Sequence, residues 1–209
     1  MKPLQILKIL FITLFFFNCK KSPSVYNVED VQINKNTRGV IYLYNEKPIT
    51  GMIFERNNSD IILKEFEVEK GILSGSYREF YANKNIKLEN FYLNGKLEGI
   101  STSFYEDGSI KEKLNYSKGL LTGERKYFWE NGLLKESNQF DKGIMTGKSI
   151  YFYANGQIQK SFELNSLGKR QGVWEDYYSN GQLKERAAYE NGRVVSEVIK
   201  FDKRGKKIK

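Results

Sequence analysis

The chain contains no histidine, one cysteine and three prolines in 209 residues. Without imidazole it lacks the commonest general base, every catalytic triad built on that ring and most catalytic zinc sites. The sole cysteine, Cys19, excludes an intramolecular disulfide and a thiolate cluster, so no metal site and no cofactor is expected. Against the scarcity of proline stand 18 glycines, 14 tyrosines and 14 phenylalanines. That balance favours short, frequently turned strands over a long helical bundle. With 40% hydrophobic residues the chain can also build a core, which argues against disorder throughout.

The formal net charge is +9, but it is confined to the two ends. Lys2, Lys8, Lys20 and Lys21 precede the body, and residues 200–209 carry six cations against Asp202 alone. Residues 22–199 sum to zero, so the bulk of the protein has no net field to attract a polyanion, and nucleic acid is not an expected partner. The basic tail, 206–209, reads as a solubilising end or as a contact for an acidic surface such as anionic lipid.

Lys2 and Lys8 precede the apolar run Ile9 to Phe17, which is too short for a membrane-spanning helix of about 20 residues. Cys19 follows it directly, then the polar stretch Lys20 to Ser24. The arrangement resembles a bacterial lipoprotein signal, although Phe16, Phe17 and Asn18 depart from the usual residues before the cysteine. The resemblance implies a signal peptide over 1–18, acylation of Cys19, and an exported protein anchored in a bacterial membrane, the outer membrane first. Acyl chains would hold it there through about 0.8 kcal/mol per buried methylene. Residues 19–39 are polar, show no sustained period and read as a lipid-anchored linker.

The body, residues 40–205, is repetitive. Gly51, Gly75, Gly99, Gly123, Gly147 and Gly172 recur at intervals of 24 residues with one interval of 25. One more period lands on Ser196; nine residues after these places come Gly108, Gly132, Gly156, Gly181 and Gly205, with Asp60 and Lys84 at that place in the early copies. Aromatic pairs fall five and six residues after the first glycine, as in Phe104-Tyr105 and Phe128-Trp129. An apolar residue recurs at the eleventh place and a mostly aromatic one at the seventeenth. Asn-Gly or Asp-Gly between short apolar runs signals a hairpin, for which a type I′ turn is expected at Asp107-Gly108, Asn131-Gly132, Asn155-Gly156 and Asn180-Gly181. A second turn, such as Asn94-Gly95 or Lys118-Gly119, leads into the next unit. A lone hairpin is marginal in water, so neighbours must stack. The extra residue, between Gly156 and Gly168, belongs in a loop, because within a strand it would reverse the faces.

The copies GISTSFYEDGSIKEKLNYSKGLLTG, GERKYFWENGLLKESNQFDKGIMTG and GVWEDYYSNGQLKERAAYENGR resemble the MORN repeat, and more closely its bacterial variant, the YwqK-type antitoxin repeat. The resemblance implies an all-β fold, an elongated single-sheet array of about six to seven hairpins, serving as a scaffold for protein or lipid contact.

Alternation along a strand puts the column Phe80, Phe104, Phe128, Phe152, Tyr177 and Phe201 on one face and Tyr81, Tyr105, Trp129, Tyr153 and Tyr178 on the other. The phenylalanines are assigned to the core and the Tyr/Trp ladder to a candidate binding face, amphipathic as interface residues are. The alternative is that both columns fill a curled sheet. The in-phase pairs Lys111-Glu112, Lys135-Glu136 and Lys184-Glu185 read as a solvated strand face, and the glycine spacing lacks the strand-to-helix context of a phosphate loop. No catalytic residue is nominated. The expectation is a non-enzymatic, lipid-anchored module with a protein partner, a toxin in the special case of an antitoxin or immunity role. The competing class is an envelope hydrolase using paired carboxylates, for which Glu46, Asp60 and Glu106 are the default candidates.

Overall fold

The computed structural model describes residues 24–36 and 39–208. The leader and Cys19 lie outside the described residues. From Gly51 onward the strands follow one another in a single antiparallel sheet, hairpin after hairpin, as in the unit made by Gly99–Phe104 and Ile110–Ser117. Ile110–Ser117 pairs in turn with Gly123–Phe128, which carries the sheet into the next copy. The all-β repeat array expected from the sequence is therefore present.

Its two ends differ from expectation. The stretch read as a linker contains Ser24–Asn27, which pairs in parallel with Gly51–Arg56 and closes the first edge of the main sheet. A separate small sheet follows, made by Gln32–Asn36, Gly39–Tyr44 and Lys47–Pro48. Polar composition concealed these strands because an edge strand is held chiefly by main-chain hydrogen bonds, which leave little side-chain pattern to read. At the other end Lys207–Ile208 pairs with Ile199–Phe201, so part of the basic tail is a strand. Lysines on a short terminal strand discourage edge-to-edge pairing with other chains.

The hairpin-tip turns differ from the type I′ expected of them. At the hairpin tip Gly132 has φ +80°, whereas Asn131 is absent from the positive-φ residues. The N–H of Gly132 donates to the Trp129 carbonyl at 2.9 Å, and that of Trp129 to the Leu133 carbonyl at 2.8 Å. This is a type I turn closed by a left-handed glycine. Asparagine is useful here for its side chain: Asn131 Oδ1 accepts from the Leu133 N–H at 3.0 Å, while its Nδ2 donates to the Ala154 carbonyl of the next copy at 2.9 Å. The type I′ geometry occurs at the return turns, where Asn94 and Gly95 have φ +50° and +77° and Lys118 and Gly119 +52° and +82°. The inserted residue falls in the turn between Ile158–Leu164 and Arg170–Tyr177, leaving strand faces in phase. Replacing Gly132 by Val forces a β-branched residue into positive φ and is expected to cost about 1 to 2 kcal/mol. Lys113→Ala, on an exposed strand position, is the control. Equal melting temperatures would remove the left-handed turn from the account.

Register separates two faces. The aromatic face carries a row across the strands through Tyr77, Asn90, Ser101, Leu114, Arg125 and Asn138, continuing through Ser149, Phe162 and Trp174. The opposite, polar face carries ion pairs such as Arg78 with Glu65 at 3.1 Å and Glu89 at 2.9 Å. Burial is greatest on the aromatic face, where Ile53, Asn138 and Ser149 are fully buried. The phenylalanine column lies with the polar face, since Tyr177 donates to Glu175 two residues away, and it is only half-buried. Its assignment to the core is thus corrected: among the described residues the sheet is one layer thick there, and none is stacked over those rings to bury them further.

Among the described residues a two-layer core forms at the first repeat. The small sheet and the segment before it bring Val31 and Ile49 onto Ile53, Phe66 and Val68, with Tyr26, Val28, Tyr42, Leu73 and Tyr77 around them. The Tyr42 N–H donates to the Gly71 carbonyl at 2.8 Å, and the Gly71 N–H to the Ile49 carbonyl at 2.7 Å. The small sheet is in this way a cap on the aromatic face of the first repeat.

Candidate functional site

The Tyr/Trp ladder nominated from the sequence serves the joints between repeats. Tyr81 donates to the Phe104 carbonyl at 2.8 Å, Tyr105 to that of Phe128 at 2.7 Å, Tyr153 to that of Tyr177 at 2.8 Å and Tyr178 to that of Phe201 at 3.0 Å. Each hydroxyl reaches one copy ahead. Lysines lie over the rings, Lys111 5.7 Å from the Tyr105 centroid and Lys184 5.9 Å from that of Tyr178. The column is half-buried and its hydroxyls are committed to the repeat joints, which corrects the expectation of a free amphipathic ladder.

Trp129 departs from this pattern. It has no hydroxyl to send to the next copy, and its Nε1 is buried without a partner. Lys135 Nζ sits 4.3 Å from the Trp129 ring and 4.9 Å from that of Tyr127, which places the ladder on the same side of the sheet as the aromatic face. Backbone bonds tie the opposite edge. The N–H groups of Gly95, Gly119 and Gly143 donate to the Leu73, Leu97 and Leu121 carbonyls at 2.7 to 2.8 Å. Such joints, repeated in most copies, make a stiff platform from units that could not fold alone.

The platform is lined with half-buried rings, and Phe162 among them is buried. Phe162 stacks on Trp174 with centroids 4.3 Å apart and planes 11° from parallel, and Tyr151 and Tyr189 flank that pair. Polar atoms between the rings are largely engaged by each other. Tyr77 donates to Glu79 at 2.7 Å, Trp174 to Asp176 at 3.3 Å, and Arg125 to Glu112 at 2.7 Å. Buried on the same face without a hydrogen-bond partner are Asn90 Oδ1, Asn138 Oδ1 and Ser149 Oγ. The cap's packing ends at Tyr77, and among the described residues no second layer covers the rings beyond it, from Tyr92 to Tyr189. The aromatic seventeenth place was legible in the sequence, but its face was not, because the rings that share that face, such as Tyr77, Trp174 and Phe162, stand in columns where other copies carry Ser, Asn or Arg.

Burial first, and then the neighbouring Tyr127 phenol, pushes the Tyr105 phenol up to about 12, and burial with a bond to Glu175 does the same for Tyr177. Tyr77 is raised further, by burial and then by its bond to Glu79. Unfolded tyrosine ionises near pH 10. These groups therefore contribute stability that is complete below about pH 10 and lost as pH rises toward 12. Thermal midpoints should be flat up to pH 10 and fall steeply above it, with absorbance at 295 nm lagging that of free tyrosine. Titration of every tyrosine near pH 10 with no loss of stability would contradict the burial.

The default carboxylates are not brought together. Glu46 lies in a turn of the small sheet, Asp60 at the first hairpin tip paired with Arg56 at 3.3 Å, and Glu106 two hairpins away. Among the described residues no group of three or more acidic, histidine or cysteine side chains converges as a metal site.

Comparison with known proteins supplies the family. Residues 97–118, 121–142, 145–163 and 170–191 match the profile of the MORN repeat variant. These are MORN-variant repeats. They make the chain a repeat-built binding or scaffold module, four consecutive copies of which coincide with the hairpins described above. No match was found among curated proteins. Among solved structures, a mutant of S. aureus TarM in complex with fondaparinux, alpha-GlcNAc-glycerol and UDP is 15% identical, with a TM-score of 0.31 over 46% of this chain. The chain spans 19% of the length of that protein.

Proposed function

We propose that this MORN-variant protein is a lipid-anchored binding module of a bacterial cell envelope, which does no chemistry of its own and holds a protein partner against the uncovered aromatic face. A toxin is the special case of that partner. The observation that carries this reading is the partial cover: the chain's own cap lies over the aromatic face at the first repeat, and the same kind of surface continues past Tyr77 without one. The partner is expected to contribute aliphatic and aromatic side chains to the rings, because Glu79, Asp176 and the Arg125–Glu112 pair on that face are already hydrogen-bonded within the chain. Anchoring rests on Cys19 directly behind an apolar run. Since the first strand begins at Ser24, the five peptide units from Cys19 span at most about 17 Å, which would hold the first edge of the sheet close to the bilayer.

The test has two arms. Growth with a clickable palmitate analogue should label the parent and not Cys19→Ser; equal labelling would sink the anchor. Photo-crosslinking through p-benzoylphenylalanine at Tyr116, on the aromatic face, should give a protein adduct that is absent from Lys113, on the polar face. Adducts from Lys113 alone, or from neither, would sink the binding face.

A further inference from the structure

The cap hairpin has the geometry of a repeat's second half. Asn45 has φ +49°, as Asn94 has +50° and Lys118 +52° at the return turns. Lys47 and Pro48 pair back onto Tyr44 and Leu43, as Lys96 and Leu97 pair onto Leu93 and Tyr92. The Ile49 N–H donates to the Tyr42 carbonyl at 3.2 Å, and at the corresponding place Glu98 donates to Phe91 at 2.9 Å. In the later copies this half lies in the main sheet, antiparallel to the strand that follows it: Glu89 stands opposite Thr102, and Lys113 opposite Lys126. Counting five residues back from the return turn, the equivalent of Glu89 is Val40 and its missing partner is Phe54.

That place is taken by Ser24–Asn27, the one parallel strand of an otherwise antiparallel sheet. Its approach is close, for the Ser24 carbonyl occupies the position that a Cβ on residue 51 would need, and only Gly51 permits it. The same strand holds the hairpin outside, with Tyr26 and Tyr44 rings 5.4 Å apart. We propose that Gly39–Tyr44 is a repeat half kept out of the sheet by Ser24–Asn27, and that withdrawal of this strand lets it fall into register against Gly51–Arg56. The exchange conserves edge pairing, since one strand replaces another at the same donors and acceptors, and it uncovers Ile53, Phe66 and Val68. It thereby extends the aromatic face by one repeat. This role in exposing a docking surface rests on the binding reading above; the strand exchange itself does not.

The experiment uses the full chain with Cys19→Ser, Val40→Cys and Phe54→Cys, with and without Tyr26→Pro, which removes a ladder donor and the clamp on Tyr44. Under mild oxidation, mass spectrometry should show the 40–54 disulfide forming about tenfold faster in the Tyr26→Pro chain, a rise in the exchanged population of the same order. Without the cysteine pair, hydrogen exchange of the Gly51–Arg56 amides should stay within about threefold of the parent, and Gln32–Asn36, paired to the other edge of Gly39–Tyr44, should keep its protection. Loss of protection at Gly51–Arg56 with no faster crosslinking would overturn the exchange, leaving a bare edge. Retained protection at Leu183–Glu190 reports that the array is folded; if it is lost, the comparison is repeated with Val25→Pro, and the same two outcomes decide. No partner is present, so failure here would leave the binding reading standing.

Discussion

Truncation of Phe66 to alanine should lower stability by about 3 to 5 kcal/mol, the range for removing a buried aromatic ring. Phe66 is 5% exposed and lies at the centre of the only two-layer cluster among the described residues. Its ring meets Tyr42 of the cap at 5.3 Å and Tyr77 of the next copy at 5.8 Å, so one deletion loosens both the cap and the first joint. Phe104→Ala is the informative comparison. That ring belongs to the repeat column and is half-buried on a single-layer sheet, so its loss should cost roughly half as much. Urea denaturation measures both, and hydrogen exchange locates the damage, since an array unfolds from its weakest unit. Equal losses from the two variants would mean that the cap contributes no more than any other repeat.

Trp129 gives the second large effect. Removal of a packed tryptophan costs about 3 kcal/mol at the lower end of the usual range, and Trp129→Ala should lie there because the ring is half-buried between Lys135 and the next copy. The informative variants keep a ring. In Trp129→Tyr a hydroxyl is placed where four other copies send one to the next carbonyl, and a buried N–H without a partner is removed. A hydrogen bond contributes about 1 kcal/mol net, so Trp129→Tyr should exceed Trp129→Phe by that amount. With Trp174→Phe as background, Trp129 emission should be blue-shifted and poorly quenched by acrylamide. Emission of an exposed indole, or identical stability of the Tyr and Phe variants, would show that this column does not join the repeats.

The array itself was legible in the sequence. Its 24-residue period, paired turns and in-phase aromatics each repeat several times, so a pattern that is weak in one copy is strong in six. Even the loop placement of the one inserted residue follows, because a strand cannot absorb it without reversing its faces. Turn type did not follow. Asn-Gly suits both a type I′ turn and a type I turn with a left-handed glycine, and the choice was made by the bonds that Asn131 forms to Leu133 and Ala154, one of them to another copy.

The distribution of function over columns was likewise left to tertiary structure. Alternation separates the Phe and Tyr/Trp columns correctly, yet it cannot say which face is more buried, because that depends on side chains from neighbouring copies. Tyr105 is identified as a joint by the Phe128 carbonyl, 23 residues away, and no local pattern announces a bond to main chain. The N-terminal cap was least legible. Ser24–Asn27 forms no repeat, carries little apolar pattern and is held by pairing with Gly51–Arg56, a segment that composition does not connect with it. Period and chemistry set the sheet, since each copy restates them locally; which surfaces are covered depends on contacts between segments distant in sequence, and only the folded chain decides those.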